Sequence, residues 1–424
     1  MTDVTDLANA AEVGTSTLVS LFWITLVALV APIVSGALRR LVPEVVLLLG
    51  LGVVIGPFGL GLASADDGIG MISELGLGFL FLLAGFEIDV ATLTGPRGRR
   101  ASVLWLGSFG VATLLGWLVV RSDGFPLAVA IVLGLAVTST AVGTLLPIIK
   151  ANGELGTPLG AGVLTHGAVG ELGPVLAMSV LLSTRSLVAS VAVLALFMVA
   201  ALAVGVVPGR TIRRVPGLAR AIGEATRSAH PTIIRAVVLL LATLMATAAV
   251  LELDVVLGAF AAGIILRGAT KSVARRDADG VEDPTVVHAL EERLETVAYA
   301  IFIPVFFIAS GMAINTAVLA ERPLELVAFV LIILVARGVP VWLLERSRHS
   351  VANLSREVDR RRLGLYAATG LPIIVAVTEV ARRTELITEV TSSVLVAAGA
   401  ITVLVFPFVA GRMASPTRAE TSTT

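Results

Sequence analysis

The sequence contains no cysteine and few charged residues, and each shortage excludes a class of protein. Without cysteine, the chain cannot form disulfides, use a thiol nucleophile or bind a metal through thiolates. Charged residues make up 15% of the chain, whereas soluble domains carry about 25%. A soluble protein of 424 residues with a mean hydropathy of +0.97 would have too few polar groups to cover its surface. The formal net charge is zero, which argues neither for nor against a nucleic-acid partner, and we expect none in a membrane protein of this kind.

Long apolar runs fill most of the chain, and about 20 apolar residues are needed to cross the hydrocarbon core of a bilayer. A spanning helix satisfies its own backbone hydrogen bonds, whereas a transmembrane barrel would show alternating segments of about ten residues. The runs do not alternate, so we predict an all-α polytopic membrane protein with thirteen transmembrane helices. The predicted spans are 18–38, 41–60, 70–93, 101–120, 125–149, 158–184, 186–208, 232–251, 253–267, 294–318, 323–345, 361–381 and 389–411.

The loops between these spans differ strongly in charge. If the N-terminus is outside, most of the 31 Lys and Arg residues fall in cytoplasmic loops, as the positive-inside rule requires. We therefore expect an extracellular N-terminus (1–17), a transmembrane domain (18–411) and a disordered cytoplasmic tail (412–424) in a protein of the plasma membrane.

Two short segment pairs indicate an internal repeat. FLLAGFEIDVATL (81–93) resembles FIASGMAINTAVL (307–319), and Leu-Gly-Leu at 133–135 recurs at 363–365. Both pairs imply a shift of seven helices, and an odd shift inverts the second copy across the membrane. Inverted repeats are typical of secondary transporters, whose binding site lies near the midplane between the copies.

Two spans at repeat-related positions carry residues that weaken a helix. Glycine and proline disturb helix hydrogen bonding, and Ser and Thr can bond to carbonyl groups of their own helix. We predict two crossing, broken helices that present carbonyl groups and half-helix ends to an ion. The alternative is that small residues merely ease close helix packing. The predicted breaks contain Thr138, Ser139, Thr140, Thr369, Gly370 and Pro372.

Two charged residues are predicted near the membrane midplane, where ionisable groups are costly and are functional candidates. Glu171 lies in span 158–184 and Arg337 in span 323–345. Burial favours the protonated form of a carboxyl group, and a nearby cation favours the ionised form. A carboxyl group under both influences can exchange a proton for a metal cation. The alternatives are a structural ion pair or an unused polar residue for Glu171 and an interfacial position for Arg337.

Three other polar residues are weaker candidates for an accessory role. Glu87 and Asp89 lie at the cytoplasmic end of span 70–93 and could simply be solvated. His166 precedes Glu171 by five residues, which is about 140° of rotation round the helix. The two side chains therefore do not share a helix face, which weakens the case for a proton relay through His166. No HExxH, Walker or GxSxG motif is present, and we expect neither an enzyme nor a cofactor.

Several motifs along nearly the whole chain resemble the monovalent cation:proton antiporter-2 family, the Kef-type exchangers of Na⁺ or K⁺ for H⁺. These are LVPEV (41–45), GVVIGP (52–57), ELG (74–76), LAGFEID (83–89), STAV (139–142), GELGTP (153–158), LGAFAAG (257–263) and IPVFF (303–307) with Gly311.

The resemblance implies the thirteen-helix sodium/proton-antiporter fold, with helices 4–6 and 11–13 as a moving core and helices 1–3 and 8–10 as a dimerising panel. It also implies elevator-like exchange of a monovalent cation for protons, with a role in pH homeostasis. The family's ion-binding acid falls at Glu171, and Arg337 would be its basic partner. That acid is usually an Asp preceded by Asp, Asn or Gln, whereas this chain has Gly170-Glu171.

A single carboxylate predicts electroneutral exchange of one cation for one proton. Two other functions stay open at this point. Half-helix N-termini and Arg337 would suit a transporter of an organic or anionic solute on the same fold. The Gly170-Glu171 departure would suit a non-transporting sensor or subunit whose ion site has decayed.

Overall fold

The computed structural model describes residues 4–38, 42–88, 93–120, 127–181, 186–214, 232–274 and 284–413. Every regular element in these ranges is a helix, which confirms the predicted all-α class. The α-helices are α1 (Val4–Ala37), α2 (Glu44–Ile55), α3 (Asp67–Glu87), α4 (Pro96–Val120), α5 (Leu127–Val137), α6 (Val142–Ala151), α7 (Pro158–Leu181), α8 (Leu187–Arg214), α9 (Thr232–Val250), α10 (Val255–Ala274), α11 (Pro284–Val297), α12 (Ile303–Met312), α13 (Thr316–Glu321), α14 (Pro323–Ile333), α15 (Val339–Arg346), α16 (Glu357–Ala367), α17 (Leu371–Arg383) and α18 (Glu389–Met413).

Ten helical segments within the described ranges are long and apolar enough to cross a membrane. Three further apolar helices, within α2, α8 and α10, are shorter. At about 1.5 Å per residue, α2 rises by roughly 18 Å, which is less than the roughly 30 Å hydrocarbon core. The polytopic helical architecture is confirmed, and the count of thirteen spans stays a prediction.

Some helix ends differ from the predicted limits. α1 begins at Val4 rather than near residue 18, because Ala, Leu and Glu favour helix even where the segment is too polar for a membrane span. α3 ends at Glu87 rather than near residue 93, because Ile88 takes an extended backbone with φ −76° and ψ 124°.

The predicted span 294–318 is not one regular helix. It ends at Met312, and α13 begins separately at Thr316. Between them the side chain of Asn315 accepts a hydrogen bond from the backbone N–H of Ala317 at 3.1 Å. Such local bonds offer the backbone an alternative to the helix ladder, which is why Asn favours helix starts.

Two membrane segments contain one turn of π-helix, at Ala298–Phe302 and at Leu334–Gly338. Each turn ends two residues before a proline, Pro304 and Pro340. A proline ring collides with the carbonyl four residues earlier and offers it no N–H. The helix adapts by widening locally at that place. Arg337 lies in the second widened turn.

The chain divides into two compact units. The first contains 1–30, 54–90 and 175–312, and the second contains 31–53, 91–174 and 313–424. In the first unit α3 and α10 pack with their backbones in close contact. A Cβ on Gly85 would collide with the carbonyl oxygen of Phe260, and a Cβ on Gly263 with that of Leu82. Small residues allow this approach, as is common between membrane helices.

The second unit has an apolar core formed by α6, α7, α15, α16 and α18 with the loop before α16. Its largest members include Leu145, Leu159, Leu363 and Tyr366. Beside this core lies a set of buried polar side chains, which is unusual in an apolar unit and marks a functional candidate. The set includes Thr138, Ser139, Thr140, His166, Glu171, Arg337, Glu345 and Thr369.

Candidate functional site

The first predicted break lies where it was expected, between α5 and α6. The chain is non-helical at residues 138–141, and the hydroxyl groups there bond to the end of α5. Thr138 donates to the carbonyl of Gly134 at 2.7 Å, and Ser139 donates to that of Ala136 at 2.8 Å. These bonds satisfy carbonyl groups that the end of a helix leaves open.

The second predicted break lies between α16 and α17, at residues 368–370. The N–H of Ala368 closes the end of α16 with a bond of 3.2 Å to the carbonyl of Gly364. Pro372 is in the first turn of α17 rather than in the break itself. A proline suits that position, because the first N–H groups of a helix have no partner within the helix.

The two breaks cross in direct contact. The N–H of Ala141 donates to the carbonyl of Thr369 at 2.8 Å, and the hydroxyl of Ser139 donates to that of Gly370 at 3.2 Å. A Cβ on Gly370 would lie only 2.7 Å from the carbonyl oxygen of Ser139. Glycine is therefore required for the crossing to close.

Glu171 lies in the middle of α7 and is only 3% exposed. The residue before it, Gly170, is joined to the first break, because its carbonyl accepts a bond of 2.9 Å from the N–H of Thr140. In a regular helix that carbonyl would bond to the N–H four residues later. That residue is Pro174, which has no N–H, so the carbonyl is open to a partner from outside the helix.

Arg337 is fully buried and reaches the same part of α7. Its Nε donates to the hydroxyl of Thr140 at 3.1 Å, and its Nη2 donates to the carbonyl of His166 at 2.7 Å. A Cβ on Gly170 would lie 2.5 Å from Nη2. The missing side chain at 170 therefore makes room for a guanidinium beside the residue that precedes Glu171.

His166 has a buried acidic partner that the sequence reasoning missed. Its Nε2 lies 3.2 Å from Oε1 of Glu345, and both side chains are 0% exposed. Glu345 also accepts bonds from the hydroxyl of Ser350 at 2.5 Å and from the N–H groups of Val351 and Ala352 at 3.0 and 3.1 Å. Glu345 is the last residue of the predicted span 323–345, and a carboxylate at the end of a span is usually solvated.

The loop of the GELGTP motif is held by a second buried arginine. Arg362, 4% exposed, forms an ion pair with Glu154 and donates to the carbonyl of Ala410 at 2.8 Å. The hydroxyl of Tyr366 lies 3.4 Å from the same carboxylate. This ion pair joins the loop before α7 to α16, the helix that leads into the second break.

The two acids proposed as accessory residues are not among these contacts. Glu87 belongs to the first compact unit and is partly buried rather than simply solvated. Its Oε2 has no hydrogen-bond partner among the described residues. Nearby, Arg267 donates to the carbonyl of Phe86 at 2.5 Å. Asp89 lies outside the described residues.

Comparison with known proteins identifies the family. The model of the transmembrane sodium/hydrogen exchangers matches residues 25–415, which is nearly the whole chain. The chain belongs to the sodium/hydrogen exchanger family. Assignment to the Kef-type subfamily stays a prediction.

Individual members of the exchanger family agree with this assignment. The chain is 24% identical over 306 residues to "Probable Na(+)/H(+) antiporter 3" of Methanocaldococcus jannaschii, covering 72% of this chain and 74% of that protein. It is 25% identical over 299 residues to the Na(+)/H(+) antiporter of Enterococcus hirae, covering 70% and 73%. The solved sodium proton antiporter MjNhaP1 of M. jannaschii aligns with a TM-score of 0.62 at 18% identity, over 93% of this chain and 98% of that one.

These likenesses confirm the sodium/proton-antiporter fold and a multi-pass membrane protein. The family and its fold support exchange of a cation for protons, and its members are transporters without a cofactor rather than enzymes. The arrangement in this exchanger suits such chemistry. Carboxylate, hydroxyl and carbonyl oxygens are the ligands that hard cations prefer, and Glu171, Thr140 and the crossing breaks supply all three types.

Proposed function

We propose that this chain exchanges Na⁺ or K⁺ for H⁺ and that the carboxyl group of Glu171 binds either the cation or the proton. The observation that carries the proposal is the surroundings of Glu171. The side chain of Glu171 is 3% exposed. It directly follows Gly170, whose carbonyl is bonded to the first break and against which Arg337 packs.

Competition at one carboxyl group would couple the two ions. A bare carboxylate in this interior costs several kcal/mol, so it requires a cation, a proton or the guanidinium of Arg337 close by. We infer that Arg337 offsets the charge of Glu171 while the site changes from one ion to the other. One carboxylate then carries one cation or one proton, which makes the exchange electroneutral.

Access from the two sides would alternate by an elevator-like movement. The division of the chain into two compact units supports this idea, because the second unit contains Glu171, Arg337 and both breaks. We propose a homodimer in the plasma membrane with the N-terminus outside and the C-terminus in the cytoplasm. Its role would be pH homeostasis.

A second candidate is transport of an anionic solute. The buried guanidinium of Arg337 is the observation that favours it, because its Nη1 has no hydrogen-bond partner among the described residues. The starts of α6 and α17 at the crossing would add partial positive charge. A sensor that has lost transport is the third candidate, supported by Gly170-Glu171.

Exchange in proteoliposomes separates the three. Vesicles with a trapped pH-sensitive dye receive pulses of NaCl, KCl or LiCl. In the wild type, we expect the added cation to drive protons out of the vesicles, so that the dye reports a rise in internal pH. This response should be lost in Glu171→Gln. Glu379→Gln is the matched control, because Glu379 lies on the second unit's α17 and pairs with Arg382 and Arg383.

The outcomes differ clearly. Exchange that survives Glu171→Gln would remove Glu171 as the ion carrier. A response to an anionic solute, but to no cation, would favour the second candidate. A wild type that binds Na⁺ but moves neither ion would favour the sensor.

A further inference from the structure

The buried pair of His166 and Glu345 is not used by the exchange step proposed above. It lies in the second unit, and both side chains are 0% exposed. Buried ionisable groups are costly in a membrane protein and are functional candidates by default. The pair is therefore a separate titratable centre, with His166 on the helix that carries Glu171 and Glu345 on α15.

The hydrogen bonds define where protons lie in this pair. Three donors, from Ser350, Val351 and Ala352, already point at the carboxylate of Glu345. The remaining contact is to Nε2 of His166 at 3.2 Å. An ionised carboxylate only accepts hydrogen bonds, so the ring nitrogen that faces Glu345 has to be the donor. We therefore assign the proton of the neutral His166 ring to Nε2.

This assignment leaves Nδ1 of His166 as the atom that can take up a proton. Nδ1 is buried and has no hydrogen-bond partner among the described residues. A proton bound there converts the ring to a cation, and the ionised carboxylate of Glu345 balances the new charge. No other group changes its bonds, so the step is proton uptake alone.

Arg337 connects this pair to the exchange site. Its Nη2 donates to the backbone carbonyl of His166 at 2.7 Å, so the guanidinium and a protonated ring repel each other at short range. Glu171 lies on the same helix, about 140° round the axis from His166. Thr140 of the first break and Val142 at the start of α6, both uncharged, face the neighbouring Gly167. The charged side chains facing the ring in the described chain are thus Glu345 and Arg337.

We propose that His166 and Glu345 form a second proton-binding site, at Nδ1 of His166, which shifts the pH dependence of exchange through Arg337. Proton binding at Nδ1 stands independently of transport, whereas the effect on exchange rests on the proposed function. The site would adjust the exchanger without carrying the transported ion.

Nitrogen NMR of the ring atoms tests proton binding directly. The protein is labelled with ¹⁵N-histidine in liposomes, and its four histidines give few signals. His166→Gln assigns the His166 signals by their loss. We expect Nε2 to stay protonated and Nδ1 to become protonated as the pH is lowered. The same transition should appear in Glu171→Gln, which cannot exchange ions if the proposed function is correct.

Two variants of the partner should move this transition in opposite directions. Glu345→Gln removes the balancing charge and should shift it to lower pH. Ser350→Ala removes one donor from the carboxylate, strengthens its pull on the ring and should shift it to higher pH. Ser350→Ala also serves if Glu345→Gln fails to fold. His288, whose side chain is 74% exposed, is the internal control, and its signals should be the same in the wild type and in both variants.

The result that overturns the site is an Nδ1 that stays unprotonated down to the lowest pH at which the protein remains folded, or a transition that neither variant moves. The link to exchange is tested separately by His166→Gln in the dye assay. We expect transport to persist with a shifted pH profile, and an unchanged profile would refute the link. Loss of exchange in Glu171→Gln with an intact His166 titration would support both proposals at once.

Discussion

Replacing Gly170 with alanine tests whether the guanidinium of Arg337 needs the space that this glycine leaves. A Cβ at position 170 would lie 2.5 Å from Nη2 of Arg337 and 2.5 Å from Oγ1 of Thr140. Both distances are far inside van der Waals contact. The alanine would therefore push the guanidinium away from Thr140 and from the carbonyl of His166.

Three effects decide the magnitude. Overpacking a closed site costs about 1–3 kcal/mol, and a lost hydrogen bond of a charged group costs about 1.5–3 kcal/mol. Alanine in a helix interior is favoured over glycine by about 1 kcal/mol. The two losses exceed the gain, so we expect Gly170→Ala to lower the free energy of unfolding by about 1.5–5 kcal/mol.

Unfolding in detergent, followed through the four tryptophans, measures this loss. Gly107→Ala on α4 is the matched control, because nothing lies within 4 Å of a Cβ added there. The control should be neutral or more stable by up to about 1 kcal/mol. If Gly170→Ala were as stable as Gly107→Ala, the packing of Arg337 against α7 would be wrong.

Three further changes test the crossing of the two breaks, the ion pair of Arg362, and the two hydrogen bonds of the Arg337 guanidinium. Gly370→Ala places a Cβ 2.7 Å from the carbonyl oxygen of Ser139, so unfolding should become easier by about 1–3 kcal/mol and exchange should stop; normal exchange would contradict the close crossing. Arg362→Gln should cost about 2–3 kcal/mol in unfolding, because the mostly buried carboxylate of Glu154 loses its partner. Adding Glu154→Gln should recover part of this cost, and simple additivity would argue against the pair. Arg337→Lys keeps the charge but cannot make both hydrogen bonds of the guanidinium, so dye-monitored exchange should fall; a wild-type rate would show that charge alone suffices.

The breaks in the two crossing helices could be predicted from local sequence. Thr138 to Thr140 and Thr369-Gly370 stand out as polar or flexible residues within apolar spans, and local hydrogen bonding is what interrupts a helix there. The burial of Glu171 and Arg337 followed from their positions in the middle of such spans. These features depend on neighbours in the chain, which a sequence shows directly.

The contacts between helices could not be predicted in the same way. Arg337 bonds to a backbone carbonyl, and every residue has a carbonyl, so side-chain identity gave no signal for it. Pro174, four residues after Gly170, was a local sign of an open carbonyl that the sequence reasoning did not use. Glu345 is buried because His166 of α7 and the loop through Ser350 both cover its carboxylate, and the contact with α7 is a tertiary effect.

The π-helical turn at 334–338 makes this region sensitive to length as well as to composition. In a regular α-helix Arg337 and Glu345 would point about 80° apart, and in this structure, with the π-helical turn between the start of the segment and Glu345, both side chains reach His166 of α7. Removing one residue from the turn would rotate everything after it by about 100°. A one-residue deletion in this turn would thus separate Glu345 from His166 even though both residues are unchanged. Its effect on the pair would equal that of replacing either partner. Among homologous chains, we expect insertions and deletions to avoid this turn even where the residues around it vary.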